Sequence, residues 1–222
     1  MSFRREGGAR LLHFRSEATV AKPILLVPSL INRWYVLDLR PGASLVEALV
    51  CGGFDVWLLD WGVPEPEDRY LDWDSVLRRR GRAVRRVLAK LMSQPDLTLD
   101  PKARDAYLAL DAWASDNIPF PAEAYRRYIS EMYQGNELIA GTHRANDQPA
   151  QLGKIKCPTM VITASRDAIC PPLAATALLR HIGSTDTSVL EVPGGHVGAV
   201  VGSRAGTEMY PGLARWLAPR LA

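Results

Sequence analysis

No G-x-S-x-G or G-x-C-x-G segment occurs anywhere in these 222 residues. The strained strand-to-helix turn that usually presents a serine or cysteine nucleophile is therefore missing. Cysteine is scarce. Cys51, Cys157 and Cys170 are odd in number, scattered and without C-x-x-C spacing, which argues against a disulfide framework and fits reduced thiols in a cytoplasmic setting. The four histidines, His13, His143, His181 and His196, lie far apart in sequence without ligand spacing, so neither a metal nor a cofactor is expected. A net charge of +3 is too small to imply a nucleic-acid partner. No apolar run approaches the ~20 residues needed to span a bilayer. Arg4 and Arg5 are not followed by the apolar stretch of a secretory leader. Internal repeats and low-complexity segments are also lacking.

What is present reads as one globular domain over residues 1–222, with 47% hydrophobic and 23% charged residues. Residues 1–22 are polar and Arg-containing, and are expected to form a loosely held arm. Ile24-Leu25-Leu26-Val27-Pro28 and Phe54-Asp55-Val56-Trp57-Leu58-Leu59-Asp60 read as strands buried on both faces. Between them, Ser44–Val50 reads as a helix stopped by Gly52-Gly53. Asp74 can cap a long helix to about Met92 with Leu77, Val84, Val87, Leu88 and Leu91 on one face. Residues 92–105, with Pro95 and Pro101, form a junction. Tyr107–Tyr133 reads as helical in two pieces, broken near Pro119 and Pro121. Then come a strand at Thr159–Ala164, a helix from Leu173 to Ile182 stopped by Gly183, a strand at Ser188–Val192, and a helix over Glu208–Leu221 interrupted near Pro211 and Pro219. This alternation predicts an α/β fold: a parallel sheet of about four or more strands with helices on both faces.

Asp167 follows the apolar strand in Val161-Ile162-Thr163-Ala164-Ser165-Arg166-Asp167, and His196 sits between glycines in Val192-Pro193-Gly194-Gly195-His196-Val197-Gly198. An acid after one strand and a Gly-flanked His after the next form the acid–base half of an α/β-hydrolase triad. Both side chains are expected at the carboxyl edge of the sheet, within hydrogen-bond reach. Other residues could stand in for the missing nucleophile. Cys51, at a helix end, and Cys157, before Pro158, read as small buried apolar residues. Cys170 lies three residues from Asp167, but nothing constrains it to a strained turn. Ser29 reads as a turn hydroxyl, Ser165 as a loop residue and Asp60 as a structural acid at a strand end. The arginine-rich helix (Arg78, Arg79, Arg80, Arg82, Arg85, Arg86 and Lys90) reads first as a solvated face; coenzyme A phosphates or an acidic partner are the sharper alternatives.

Several motifs fall in an order that resembles the polyhydroxyalkanoate (PHA) synthase family, and within it the class III catalytic subunit. They are Leu30-Ile31-Asn32-Arg33-Trp34-Tyr35-Val36-Leu37-Asp38-Leu39, then Phe54 to Gly62, then Trp113 with Asp116, then Tyr133-Gln134-Gly135-Asn136-Glu137-Leu138, then Asp167-Ala168-Ile169-Cys170-Pro171, and lastly Gly194-Gly195-His196-Val197-Gly198. The resemblance implies a truncated α/β-hydrolase fold and an ancestral transfer of 3-hydroxyacyl groups from coenzyme A to a Cys and on to a growing chain. It implies His196 as general base, Asp167 as its orienter, and the backbone at Leu30 and Ile31 as the strand-end half of an oxyanion hole. It also exposes two departures. Ala168 stands where the family has His. The family's Cys elbow and lid are absent: the chain passes from the Asp74–Met92 helix to the post-lid segment near residues 92–105, skipping on the order of 100 residues at ~30 per strand–helix unit plus the lid. If the flanking strands pair directly, the sheet order is Phe54–Asp60, Ile24–Pro28, Thr159–Ala164, Ser188–Val192. The implied setting is cytoplasmic or at a polymer granule. A hydroxyacyl-CoA substrate, an intact synthase subunit or the granule would be the partners, with no nucleic acid and no membrane span. The alternative activity is a small esterase or thioesterase with a relocated nucleophile.

Overall fold

The computed structural model of the chain describes residues 2–6, 9–14, 23–30, 32–63, 70, 101–116 and 118–221. It divides into two compact units, Met1–Tyr125 and Arg126–Ala222.

In the first unit, strands β1 (Ser2–Glu6), β2 (Ala9–Phe14) and β3 (Pro23–Leu26) precede the short strands β4 (Asp38–Arg40) and β5 (Ala43–Ser44), helix α1 (Leu45–Cys51) and strand β6 (Asp55–Asp60). The main sheet runs β1-β2-β6-β3. The pairing of β3 with β6 is parallel, as the intervening helix requires; β1–β2 and β2–β6 are antiparallel. The expected loose arm is thus corrected. Residues 9–14 are a paired strand because Leu12 and His13 are both buried, one on each face, and a strand that buries both faces is held in register. His13 lies opposite Trp57, stacks on its ring at 3.8 Å between centroids, and shares Asp55 with it: the Asp55 carboxylate sits 2.6 Å from His13 Nε2 and accepts from Trp57 Nε1 at 3.1 Å.

The register brings Val56 beside Ile24 and Phe14, and Leu58 beside Leu26 and Leu12. Val56 and Leu58 are fully buried, while Trp57 and Leu59 on the opposite face are half-covered. The expectation that β3 is buried on both faces is also corrected: Leu25 is 59% exposed, and among the described residues β3 is the edge of this sheet. Asp60, at the strand end, is buried and structural. Its carboxylate accepts from Arg10 Nε at 2.8 Å and from the Gly62 N–H at 2.9 Å.

Helix α1 starts where Ser44 Oγ accepts from the Glu47 N–H at 2.8 Å, filling one of the orphan donors of the first turn. It stops at Gly52-Gly53, where Gly53 has φ +84 and the Phe54 N–H returns to Leu49 O at 3.0 Å. Cys51, expected in the core, is exposed, as is Cys157; each sits at an element end where the chain turns outward. The arginine-rich helix proposed for 74–92 and the first part of the junction, 92–100, lie outside the described residues. The rest of the junction is the start of helix α2 (Pro101–Ser115), which begins earlier than Tyr107 because Pro101 is well placed at a first helical position. The break near Pro119 and Pro121 is present: α2 ends before Asp116, and α3 (Ala122–Arg127) begins after Pro121.

In the second unit, α3 runs on into a π-helical stretch, Tyr128–Gln134. Helix α4 (Glu137–Ala140) and a hairpin of β7 (Arg144–Ala145) with β8 (Gln148–Pro149) follow. Strands β9 (Thr159–Ala164) and β10 (Thr187–Val192) pair in parallel, joined through helix α5 (Pro172–Thr176) and one 3-10 turn. Helix α6 (Gly198–Val201) and helix α7 (Tyr210–Leu221) complete the chain. The α/β class and two of the three expected parallel pairs are present. The fourfold sheet differs in make-up. Among the described residues β3 pairs with β6 alone and β9 with β10 alone, so the expected ladder between Ile24–Pro28 and Thr159–Ala164 is not formed, and β1 and β2 supply the other two strands. No helix of the described residues is long and apolar enough to cross a membrane.

Leu58 and Leu25 make a direct comparison within one sheet. Truncating Leu58 to Ala should lower unfolding stability by about 2–5 kcal/mol, the range for a buried leucine. Leu25→Ala should cost well under half of that, as measured by urea unfolding. Equal losses would contradict the burial pattern.

Candidate active site

The site is built at the ends of two neighbouring strands. Ala164 and Val192 are the last paired residues of β9 and β10, and both are buried. Pairing continues past them through the loops. The Ser165 N–H donates to Val192 O at 3.0 Å, and the Arg166 N–H donates to Gly194 O at 2.8 Å. Gly194 has φ +142, a backbone conformation that side chains beyond glycine rarely adopt, and it lets the second loop lie against the first. These bonds fix where the next residues on each loop emerge.

Asp167 and His196 emerge facing one another. Asp167 Oδ2 lies 2.8 Å from His196 Nδ1. The other carboxylate oxygen, Oδ1, accepts from the Ile169 and Cys170 N–H groups, each at 2.9 Å. The Asp167 side chain is 7% exposed and the His196 side chain 45%. Burial is the largest single influence on the Asp167 carboxyl and works to raise its pKa. The Cys170 N–H, the His196 ring and the Ile169 N–H together outweigh it, so the net shift is downward. The acid therefore stays ionised and holds Nδ1 of the imidazole as a donor. That leaves Nε2, on the far edge of an exposed ring, as the proton-accepting atom. This is the arrangement of a general base with its orienter.

Among the described residues no thiol or hydroxyl is hydrogen-bonded to the His196 ring. Cys170 contributes its backbone to Asp167, and its thiol is exposed. Ser29 is a turn residue: its carbonyl accepts from the Asn32 N–H at 3.1 Å and its hydroxyl from Asn32 Nδ2 at 2.6 Å. Leu30 lies in that turn, after β3; Ile31 lies outside the described residues. Ala168, in place of the family's His, is exposed.

A second arrangement had no role assigned from the sequence. Arg33 Nη2 donates to Asp116 Oδ1 and Tyr35 OH donates to Asp116 Oδ2, both at 2.6 Å. Two motifs about eighty positions apart thus meet in one unit. The signal was available in the opposite charges of two motif residues, but nothing in the sequence pairs them.

Comparisons with known proteins point to the same family resemblance. Residues 9–49 match the family model "Poly-beta-hydroxybutyrate polymerase (PhaC) N-terminus". The chain is 25% identical to the poly(3-hydroxyalkanoate) polymerase subunit PhaC of Haloferax mediterranei, over 97% of this chain and 63% of that protein. It is 24% identical to the PhaC subunit of Allochromatium vinosum, over 89% of this chain and 81% of that one. Against the PhaC subunit of Cupriavidus necator it reaches 40% identity, over 26% of this chain and 10% of that one. The Allochromatium alignment is 287 residues long but takes in only 89% of 222 residues, which leaves roughly 90 of its positions opposite gaps in this chain. Among solved structures, an α/β hydrolase enzyme from the metagenome of sediments of the Mar Chica lagoon has a TM-score of 0.45 at 15% identity, covering 99% of both chains. The enol-lactonase of Burkholderia xenovorans has a TM-score of 0.46 at 14% identity, covering 97% of this chain and 99% of that one. The chain is thus similar to PHA polymerase subunits along most of its length, and its residues 9–49 match the family model of their N-terminus.

The lowered Asp167 carboxyl sets a pH dependence. Its charged form is favoured by folding, so the stability it contributes is fully present above the unfolded value of ~3.9 and is lost as pH falls through the lower folded value. The stability difference between the parent and Asp167→Asn should therefore shrink below about pH 4. Urea unfolding across pH checks this, and a difference that grows on acidification would contradict the assigned bonds.

Proposed function

We propose that this chain is a catalytically silent member of the PHA synthase family, keeping the base and orienter of a hydroxyacyl-CoA transferase without the atom that attacks. The observation that carries this reading is the Asp167–His196 pair at 2.8 Å with, among the described residues, no thiol or hydroxyl bonded to the ring. In a working synthase of this kind, a Cys thiolate attacks the thioester carbonyl, coenzyme A leaves, and the His takes the thiol proton. The growing chain then waits on sulfur. With no elbow cysteine there is nothing to carry it. The gaps opposite roughly 90 residues of the Allochromatium relative support an internal loss of that block.

A non-catalytic role beside an intact synthase or on a polymer granule, in the cytoplasm, follows from this reading. It is supported by the exposed Leu25 and Val27 at and just beyond the edge strand β3, since an exposed apolar edge is a surface that other chains or apolar matter can cover. A second reading is an esterase or thioesterase in which Cys170 or another group has taken the nucleophile's place; the exposed and oriented His196 ring favours it.

Assays of the purified chain with (R)-3-hydroxybutyryl-CoA separate the readings. The expected result is no polymer, and coenzyme A release equal in the parent and in His196→Ala. Polymer made by the chain alone and abolished by His196→Ala would overturn the silent reading. Coenzyme A release without polymer, lost in both His196→Ala and Cys170→Ser, would establish the thioesterase.

A further inference from the structure

The second unit holds a group of side chains that neither the family's chemistry nor the Asp167–His196 pair uses. His143 is almost wholly buried, with a side chain 3% exposed, and its Nδ1 has no hydrogen-bond partner. That atom lies 3.2 Å from Glu131 Oε2 and 3.6 Å from Glu137 Oε2. A buried ring nitrogen directed at two carboxylates and bonded to neither calls for a further atom between them. We propose that Glu131, Glu137 and His143 form a binding site for a first-row divalent transition cation.

The dimensions suit one. The three ligand atoms all lie within 4.8 Å of one another. Two ligands held at ~2.0–2.2 Å from a zinc ion at a tetrahedral angle are themselves about 3.4 Å apart, between the two measured separations. One imidazole nitrogen with two carboxylate oxygens suits zinc, manganese or iron(II) better than the all-oxygen shells of calcium or magnesium. Three protein ligands leave a fourth position for water.

The backbone holds these residues in place before any ion arrives. Glu131 stands in the π-helical stretch Tyr128–Gln134, an irregularity often found at functional sites. The Gly135 N–H closes that stretch onto Ser130 O at 2.7 Å. Asn136, at φ +47, turns the chain so that Glu137 opens α4. Glu137 O then accepts from both the Thr142 and His143 N–H groups, at 3.0 and 3.2 Å, which curls the chain back and brings His143 over the two acids. On its other side, His143 O accepts from the Ala150 N–H at 2.9 Å. Arg127 grips Glu131 through Nε and through Nη2, the latter at 2.9 Å to Oε2. A carboxylate has about four lone-pair positions, so this grip leaves room for a metal and orients the ligand as outer partners of metal sites do. Spacings of six between Glu131, Glu137 and His143 match no helical face, so the sequence alone does not group them.

The test uses the full chain after EDTA treatment, with zinc, manganese or magnesium chloride added singly. Metal content after dialysis and thermal unfolding are both read. The expected result is one zinc or manganese per chain, a rise of several degrees in melting temperature, and no response to magnesium. Binding should vanish in Glu137→Gln, whose partly exposed side chain makes that variant a safe one to fold, and should persist in His196→Ala and in a variant with all three cysteines changed to Ser. Cobalt gives a second readout: its visible absorption bands at an imidazole–carboxylate site should appear in the parent and be lost in Glu137→Gln. No stoichiometric metal in the parent would overturn the proposal and leave His143 as a simple ion-pair partner of the acids. Metal kept in Glu137→Gln but lost in His196→Ala or the cysteine variant would also overturn it, by placing the ion elsewhere.

Discussion

Three donors converge on the Asp167 carboxylate, and the second unit's chemistry depends on that convergence. Taking a carboxylate out of water is unfavourable, and here it is the largest single influence on the group. Hydrogen bonds to a charged acceptor each contribute about 1.5–3 kcal/mol, so two backbone N–H groups and an imidazole suffice to reverse it. Two of those donors come from the turn that follows β9. The acid would therefore remain ionised and oriented whether or not anything reacts at His196. An acid–imidazole pair placed in this way is held by main chain and needs no third group to keep its geometry.

Much of this was legible in the sequence. The short apolar runs marked β6, β9 and β10, Gly52-Gly53 marked the end of α1, and the Asp167 and His196 motifs marked the pair, because each signal is local and has a direct physical meaning. What escaped was non-local. Residues 9–14 look polar, yet Leu12 and His13 are buried, because β6 offers one face to Leu12 and the Trp57 ring to His13. β3 looks fit for burial on both faces, but its exposure depends on which strands flank it, and composition does not say. Cys51 and Cys157 looked apolar and small, but position at an element's end decided their exposure. The resemblance to the PHA synthase family was readable from motif order, since six motifs in sequence are far more specific than any one of them.

The Arg33–Tyr35–Asp116 contact shows how the first unit ties its own ends. Burial is the main cause that pushes the Tyr35 phenol up to about 12, with the Asp116 bond adding to it, so the phenol stays a donor at any ordinary pH. The Arg33 guanidinium holds the other carboxylate oxygen. The partners this contact joins stand about eighty positions apart in the chain.

That placement bears on how such a protein can shorten in evolution. When both ends of a segment are fastened to each other, the segment's length enters the folding free energy only through loop closure. Doubling or halving it changes that cost by only ~0.6 kcal/mol. A segment between Tyr35 and Asp116 can then lengthen or shorten while the clasp that bounds it is left intact. Selection on such a clasp acts on holding together, whatever the length or task of the segment it bounds.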